Sequence, residues 1–552
     1  MPKRRAPIAP ILSIEMAVMA VLLVAHPAHA QANQAAQETA AAPRIRVDSF
    51  RISGNTLLPE VVLQNALAPF KGERTLAELK AAAAAVQAVY AEQGYGGVIA
   101  YVPPQQGEPG VATIEVLEGR IAHVTVVGNT RDSTAQVRRS LPKLQEGQTP
   151  RPAQLDAQVA QANQNGVRQL AVTLEPGAAR GEIDARIGVT EVPTSRWSVG
   201  LDNTGTEQTG RSRANLGGQF GNLTGLDDLF SLQAQFAPEH LSRVAVLSAG
   251  WRFPIYSAGL TLDLMAAYSN VDGGTTGTVA GPLQFSGKGE VLGVKLGGAL
   301  PRLGEFTQRL TAGVDHRVFL NDCSITGLPA GACGSSGASV AVTPMQLTYE
   351  LQAPGQGDRP ALALSVSAVA NLNPGGPHGA PADFQAVRPG ADPDYQLVRV
   401  NGMAQFALPA DWQVSLRGSG QGTGSGLVPG EQFGLGGANA VRGYEEREVT
   451  GDQGVFGSVE LIGPNLAKSF ASARLDQLRL LAFFDGGRAW NKLGTACLGT
   501  QTRCTLASAG FGARLQAGGW QLKLDLAEAL KDGTLTHQHD AFLHFQLSYE
   551  FQ

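Results

Sequence analysis

The chain has 552 residues, 43 Lys and Arg against 47 Asp and Glu, a formal net charge of -4, 16% charged residues and 68 Gly. Soluble domains average about 25% charged residues and about 7% Gly, so this chain is Gly-rich and charge-poor, without the basic face that nucleic-acid binding requires. After the N-terminal segment no apolar run reaches the 18 or so residues that a membrane helix needs, which leaves strands as the only way into a membrane.

The N-terminus carries Lys3, Arg4 and Arg5, an apolar stretch from Met16 to Ala25, and Ala28-His29-Ala30 before Gln31. A basic start, a short apolar core and a small-x-small site read as a secretory signal peptide over residues 1–30. Glu15 and the shortness of the core argue against an anchoring helix. A short segment, 31–45, follows.

An internal repeat comes next. Phe50-Arg51-Ile52-Ser53-Gly54-Asn55-Thr56 returns as Val124-Thr125-Val126-Val127-Gly128-Asn129-Thr130. Each copy is an alternating strand ending in a Gly-Asn turn. The first continues into helical patterns at Leu58 to Leu67 and Thr75 to Gln93, then strands at Gly97 to Val102 and Ala112 to Glu118. The second has helical patterns at Ala135 to Leu141 and Ala153 to Asn165, then strands at Arg168 to Leu174 and Glu182 to Thr190. Two small α+β modules are expected, over 46–119 and 120–193.

From Thr194 onward the texture becomes period two. In the last run Leu543, Phe545, Leu547, Tyr549 and Phe551 alternate with His544, Gln546, Ser548 and Glu550; in the one before it Trp520, Leu522, Leu524 and Leu526 alternate with Gln521, Lys523 and Asp525. Such strands have one apolar and one polar face. About sixteen such runs fit into 194–552, each about 22 residues long with its connector, and alternate connectors are short and long, as in a transmembrane β-barrel. Connectors at Asn270 to Pro282, Asn373 to Pro393 and Gly422 to Asp452 are the long kind. All five Trp (197, 251, 412, 490 and 520) fall in this region near strand ends, where aromatic residues meet the membrane interface. A soluble β-sandwich would explain the alternation alone, but not its combination with an export signal and this Trp placement.

Cys323 with Cys333 and Cys497 with Cys504 form two close pairs in turn-rich segments. In an exported protein each is expected to close a loop as a disulfide; neither has the short spacing of a four-thiolate zinc site.

Two motifs carry the functional reading. One is Val441-Arg442-Gly443-Tyr444 in the longest connector; the other is Phe483, Asp485 and Gly487, which period two places on one side of a strand, opposite Leu478, Leu480, Phe484 and Trp490. With the apolar side toward lipid, Asp485 points into the lumen.

On these residues the chain resembles the outer-membrane transporters of two-partner secretion, the haemolysin secretion/activation family of the Omp85 superfamily. Further similarity lies in Asp202-Asn203-x-Gly205 with Thr209-Gly210, in Asn222-Leu223-x-Gly225-Leu226-x-Asp228, and, for polypeptide-transport-associated (POTRA) modules, in Gly94-Tyr95 and Pro103-Pro104-Gln105. The resemblance implies a sixth extracellular loop folded back into the barrel, with Arg442 paired to Asp485; Arg479, on the same strand face, is a competing partner. It implies periplasmic POTRA modules that capture a large unfolded exoprotein, and a barrel in the outer membrane that exports it. The partners implied are that exoprotein, outer-membrane lipid and the barrel-assembly machinery. For the last of these the terminal signal would be Tyr549 and Phe551, since the chain ends on Gln552 where the family ends on an aromatic residue. An assembly or insertion factor of the Omp85 type and a passive porin are the other readings.

About fifteen residues separate Gln31 from the first module, roughly 20 Å of helix with no linker, so the barrel-plugging helix of many family members is not expected. His537-Gln538-His539 reads as a solvated outer loop. No nucleophile and base set, metal site, cofactor site or nucleic-acid site stands out, and the Gly-rich run Gly418 to Gly426 lacks the ending of a phosphate-binding loop.

Overall fold

The computed structural model describes residues 43–552 except 106–107, 208, 241–244, 271–273, 279–280, 286–287, 321–334, 336–337, 356, 358, 471–474 and 552. The expected signal peptide, the plug question and the Cys323–Cys333 pair therefore lie outside the described residues.

In the first module Val111–Glu118 runs between Ser49–Ser53, to which it is parallel, and Val98–Tyr101, to which it is antiparallel. The alternation of Phe50 and Ile52, and of Ala112, Ile114 and Val116, puts these residues on one face. Helices Glu60–Leu67 and Leu76–Glu92 cover it with Leu63, Leu67, Leu79, Val86 and Tyr90. The longer helix starts at a capping box, in which the Thr75 hydroxyl accepts from Glu78 N at 3.3 Å and Thr75 N donates to the Glu78 carboxylate at 2.7 Å. One pairing has no forerunner in the strand pattern: Arg44–Val47 with Gly72–Thr75. The second module repeats the plan, with Glu182–Glu191 between Arg120–Val127 and Arg168–Pro176, under helices Thr134–Arg139 and Pro152–Gln164.

The repeated Gly-Asn-Thr has a physical cause. Gly54 and Gly128 adopt φ of +83° and +86°, and a Cβ on either would collide with the carbonyl oxygen of Val116 or Val189 in the central strand. The turn then presents its amides to the carboxylate that ends that strand. Thr56 N and Leu57 N donate to Glu118 Oε1 at 2.7 and 2.9 Å, joined by the Tyr90 hydroxyl at 2.8 Å. In the second copy Thr130 N and Arg131 N donate to Glu191 Oε1 at 2.6 and 2.7 Å.

Burial pushes the Glu118 carboxyl up, but the hydrogen bonds from Thr56, Leu57 and Tyr90 outweigh it and hold its pKa below the usual range. The Thr130 hydroxyl, against a burial effect that raises it, and then the turn amides hold Glu191 below that range too.

Past the modules, seventeen strand segments close into a ring. Val340–Val342 and Pro344–Ala353 both pair with Phe306–Leu320 and count as one strand, so the barrel has sixteen. All neighbours are antiparallel, and Ser195–Asp202 meets Ala541–Phe551 at the seam. The strands reach 16 residues in Lys288–Leu303, ample for the hydrocarbon layer. Leu201, Leu216, Leu232, Leu247, Leu292, Phe484, Phe511, Leu526 and Leu543 point outward and uncovered, an apolar belt that a water-soluble monomer would not expose. At the module end the belt is bordered by aromatic pairs, Trp197–Phe220, Phe230–Trp251 and Trp520–Tyr549, with ring centroids 4.7–5.5 Å apart. Trp251 also ties its indole N–H to Asp228 at 2.7 Å.

The long connectors hold structure that alternation alone does not announce. The first contains a hairpin of Gly274–Thr278 and Gly281–Phe285, the second the helix Pro381–Val387, and the third the short pair Phe433–Leu435 and Val449–Gly451. Cys497 and Cys504 are disulfide-bonded across the connector between Gln477–Trp490 and Arg503–Ala517.

The second module is bolted to the barrel's turns. Buried Arg168 reaches Asp132 Oδ2 at 2.8 Å on its own module and both oxygens of Asp227 at 2.9 and 2.5 Å on the barrel, while the Tyr256 hydroxyl donates to Asp227 at 3.0 Å. Gln161 adds a bond to the Leu260 carbonyl at 2.8 Å.

Because Glu118 and Glu191 have folded pKa values below their unfolded ones, the stability they contribute is present above the ordinary Glu pKa of about 4.3 and is lost progressively as pH falls from there through the lower folded values. Acidification well below about pH 4, toward the folded values, is therefore expected to loosen the two turn clamps of the modules. Hydrogen exchange, corrected for intrinsic rate, should show residues 54–57 and 128–131 losing protection first, and Glu118→Gln should lose the protection of 54–57 already at neutral pH.

Candidate functional site

The sixth long loop, 424–452, leaves Gln413–Thr423, turns inward and returns into Gln453–Ile462. Its tip is among the most buried parts of the molecule: Val441 and Tyr444 are fully covered and Arg442 is 1% exposed.

Arg442 is held in two-point fashion. Nε and Nη2 donate to Asp485 Oδ2 and Oδ1 at 2.7 and 2.9 Å, and its backbone N–H adds a third bond to Oδ2 at 3.2 Å. Nη1 lies 2.8 Å from Glu460 and 3.5 Å from Asp525, and Nη2 donates to Ser458 at 3.3 Å. The guanidinium carbon sits 3.4 Å from the centre of the Phe483 ring. A planar, permanently charged fork suits such a seat, and the ring face adds a cation–π attraction.

The charges are partnered locally. Asp485, Glu460 and Asp525 face Arg442, Arg417 at 3.6 Å from Glu460, and Arg514 at 2.9 Å from Asp525. Three carboxylates thus meet three guanidiniums, with Lys523 also close to Glu460 and Asp525, so Arg442 does not enter as an unpartnered charge.

The other motif positions have steric reasons. Gly443 has φ of +90°, and a Cβ there would press on Ala527 Cβ at 3.2 Å. The Tyr444 hydroxyl satisfies the Ala507 and Lys531 carbonyls at 2.9 and 2.8 Å. Val441 packs with Leu435, Val449, Ala489 and Leu506. On the wall, alternation turns Phe483, Asp485 and Gly487 inward together; a Cβ on Gly487 would come within 2.5 Å of Leu435, so the bare backbone gives the loop its room. Arg479 is not the partner of Asp485; it binds Asp411 at 2.8 Å beyond the module-side end of its strand.

The base of the loop has further anchors that no motif marks. Buried Glu431 accepts from Arg317 and Arg399, both at 2.9 Å, on two other strands. Buried Asp452 pairs with Arg388 and accepts from Leu427 N and Lys492 N at 3.0 and 2.8 Å. Beside the seated loop remains a polar cavity of about 520 Å³, lined by residues that include Asp202, Gln235, Asn439, Lys523 and His544. Glu460, Asp525 and His544 escape motif reading because the ring brings them together: Phe483 is registered on Glu460, and Asp525 on His544. Their only sequence mark is a charged or ionisable residue on the polar side of an alternating run.

The barrel and the modules that precede it have known counterparts. Residues 181–515 match the family described as haemolysin secretion/activation protein ShlB/FhaC/HecB, and residues 45–119 match the ShlB-type POTRA domain. The chain belongs to the ShlB/FhaC/HecB family. It is similar to the outer membrane transporter CdiB of Escherichia coli, 24% identical over 467 residues, 82% of this chain and 74% of that protein, and to that of Dickeya dadantii, 22% identical over 413 residues, 73% and 68%. Among solved structures, CdiB from Escherichia coli superposes with a TM-score of 0.75 at 20% identity, covering 93% of this chain and 92% of that one. BamA from Haemophilus ducreyi lacking POTRA domains 1–3 gives 0.52 at 16% identity, covering 92% and 100%. Like its family, the chain is an outer-membrane transporter and not an enzyme.

Removing the fork leaves three carboxylates facing two guanidiniums. Losing one partner of a buried pair costs about 3 to 5 kcal/mol, less where water enters. Arg442→Ala is therefore expected to fold as a barrel, seen as heat-modifiable gel mobility, but to release the loop; Arg442→Lys, lacking the fork, should restore little. Single-channel conductance in planar bilayers checks this, with more frequent open events in both variants, and parent-like closure in Arg442→Ala would contradict the seat's role.

Proposed function

We propose that the chain captures an unfolded partner exoprotein in the periplasm through its two modules and passes it outward through the barrel, the sixth loop leaving its seat to clear the lumen. The observation that carries the reading is the Arg442 seat: the loop tip is held inside a wet pore by bonds to wall side chains and by the Tyr444 hydroxyl, so it fills the pore at rest and can be withdrawn without breaking a pairing between barrel strands.

Capture by strand addition fits the modules. Arg168–Pro176 is an edge of its sheet, and its first outward-facing residue, Leu170, is occupied by the Asn163 carboxamide, which accepts from Leu170 N at 2.7 Å and donates to Leu170 O at 3.0 Å. Ladder alternation gives Val172 and Leu174 the same outward N–H and C=O direction. Main-chain bonding of this kind tolerates any sequence, as an unfolded cargo demands. With the module fixed to the barrel through Arg168, a strand added here is held at the pore's periplasmic mouth. Outward folding of the cargo would bias its passage, since apolar burial outside opposes sliding back. The barrel-assembly machinery and outer-membrane lipid would serve the chain's own biogenesis.

The likeness to BamA concerns the fold, and a role in inserting other barrels is separable by experiment. Cells lacking this chain should retain a large exoprotein in the periplasm while other outer-membrane proteins assemble normally; the reverse pattern would favour the insertion reading. Val172→Pro removes only an outward N–H, leaving the inner ladder intact. It should lower exoprotein release at least about tenfold, the equivalent of about 1.4 kcal/mol of capture, with the barrel still heat-modifiable. Undiminished release by this variant would eliminate this edge as the capture strand.

A further inference from the structure

The seam between the first and last barrel strands is short and has an unusual end. Ala541–Phe551 pairs with Trp520–Glu528 over nine residues on one side, but with Trp197–Asp202 over only six on the other, from Phe551 to Gln546. Outward of Gln546 the first strand has ended. There the side chain of Asn203 takes its place: its carboxamide donates to Leu543 O at 2.6 Å and accepts from Phe545 N at 2.8 Å. A single amide side chain thus satisfies the two main-chain groups that a continuing strand would have bonded.

The residue between these two is His544. Its ring points into the lumen and is 5% exposed, and its Nε2 accepts the N–H of Gly443 at 2.9 Å. Because Nε2 accepts, the proton of the neutral ring is on Nδ1, which is buried without a hydrogen-bond partner. Among the described residues the bond from the loop is the one hydrogen bond of the buried ring. The tip of the sixth loop is therefore bonded to the same three-residue stretch, Leu543 to Phe545, that Asn203 clasps from the first strand. Arg442, the neighbour of Gly443, is seated on Asp485 four strand positions around the ring from Ser195–Asp202, so the loop bridges the barrel wall to its seam.

We propose that His544 is a positioning residue that couples the seat of the sixth loop to closure of the barrel seam. With the loop in place, the Gly443 N–H holds His544 and keeps Leu543 and Phe545 aligned with the Asn203 carboxamide. When the loop withdraws, the last strand loses that support at its outer end, the clasp loosens, and the lumen widens at the side where pairing is already shortest. This rests on the loop leaving its seat during export. The coupling itself is a property of the empty barrel and is tested without cargo.

The seam can be read with a disulfide. Ser548 is registered on Gly200, both line the lumen, and a Cβ on Gly200 would lie 3.7 Å from Ser548 Cβ, within disulfide reach. Gly200→Cys with Ser548→Cys, in the full chain in membranes, should cross-link readily under mild oxidant. Adding His544→Leu should slow cross-linking at least about fivefold, the low end of site-to-site coupling, and His544→Gln, which keeps an acceptor, should restore most of the rate. Coupling is reciprocal, so Asn203→Ala should raise external maleimide labelling of a loop-tip Ala440→Cys by a similar factor, and the closed seam disulfide should lower it. Asn203 lies at the exposed end of the seam, so its variant reports even if His544→Leu does not fold. Cross-linking at the parent rate in folded His544→Leu, or loop labelling indifferent to Asn203→Ala, would overturn the proposal. Loss of export in a variant whose cross-linking and labelling behave as expected would bear on the transport reading and leave the coupling intact.

Discussion

A guanidinium that cannot shed its charge is inserted into the lumen of a membrane-spanning barrel, and the wall around it is arranged to receive it. Arg442 is tolerable there because Asp485, Glu460 and Asp525 come from three separate strands, while Arg417 and Arg514 prevent those carboxylates from becoming a surplus in turn. The seat exists only when the ring is closed in this register. The seat is buried, yet a polar cavity adjoins it.

The high Gly content, which at first only sets this chain apart from soluble proteins, acquires a geometrical meaning. Side chains at Gly454, Gly487 and Gly510 would run into Phe433, Leu435 and Phe483, and one at Gly443 would meet the wall from the loop's side. Bare backbone on facing surfaces forms a trough in which the loop's short hairpin lies against the strands. Elsewhere glycine serves the turns, as at Gly54 and Gly128, where the same collision with a central strand recurs in both modules. Few charges are needed where the barrel's outer face is an apolar belt, and around the loop tip carboxylates and guanidiniums are paired.

Legibility in the sequence followed the range of the interaction. Strict alternation at 520–526 and 543–551 exposes barrel strands because lipid and lumen face opposite sides of one strand, and the Gly-Asn-Thr repeat exposes the modules because a positive φ and a carboxylate clamp leave a local signature. The Arg442–Asp485 contact was readable through family resemblance, supported by the parity that turns Asp485 inward. What was not readable depends on register between distant segments. Glu431 with Arg317 and Arg399, Arg168 with Asp227, and Asn203 with Leu543 and Phe545 join residues 32 to 342 positions apart, and no spacing rule anticipates them. The edge pairing of Arg44–Val47 and the hairpin inside 270–287 were missed for a simpler reason, since four or five residues carry too little periodicity to separate a strand from a loop.

In the proposed path an edge strand stands at the periplasmic mouth, a polar lumen lies beyond it, and the sixth loop would close that lumen until displaced. Site-specific photo-crosslinking during export tests the path most directly. A photo-reactive residue replacing Gln235, which lines the lumen, should form adducts with the exoprotein in transit, whereas the same residue replacing lipid-facing Leu247 should not. Exoprotein reaching the medium at its normal rate with no adduct from the lumen position would contradict passage through the barrel.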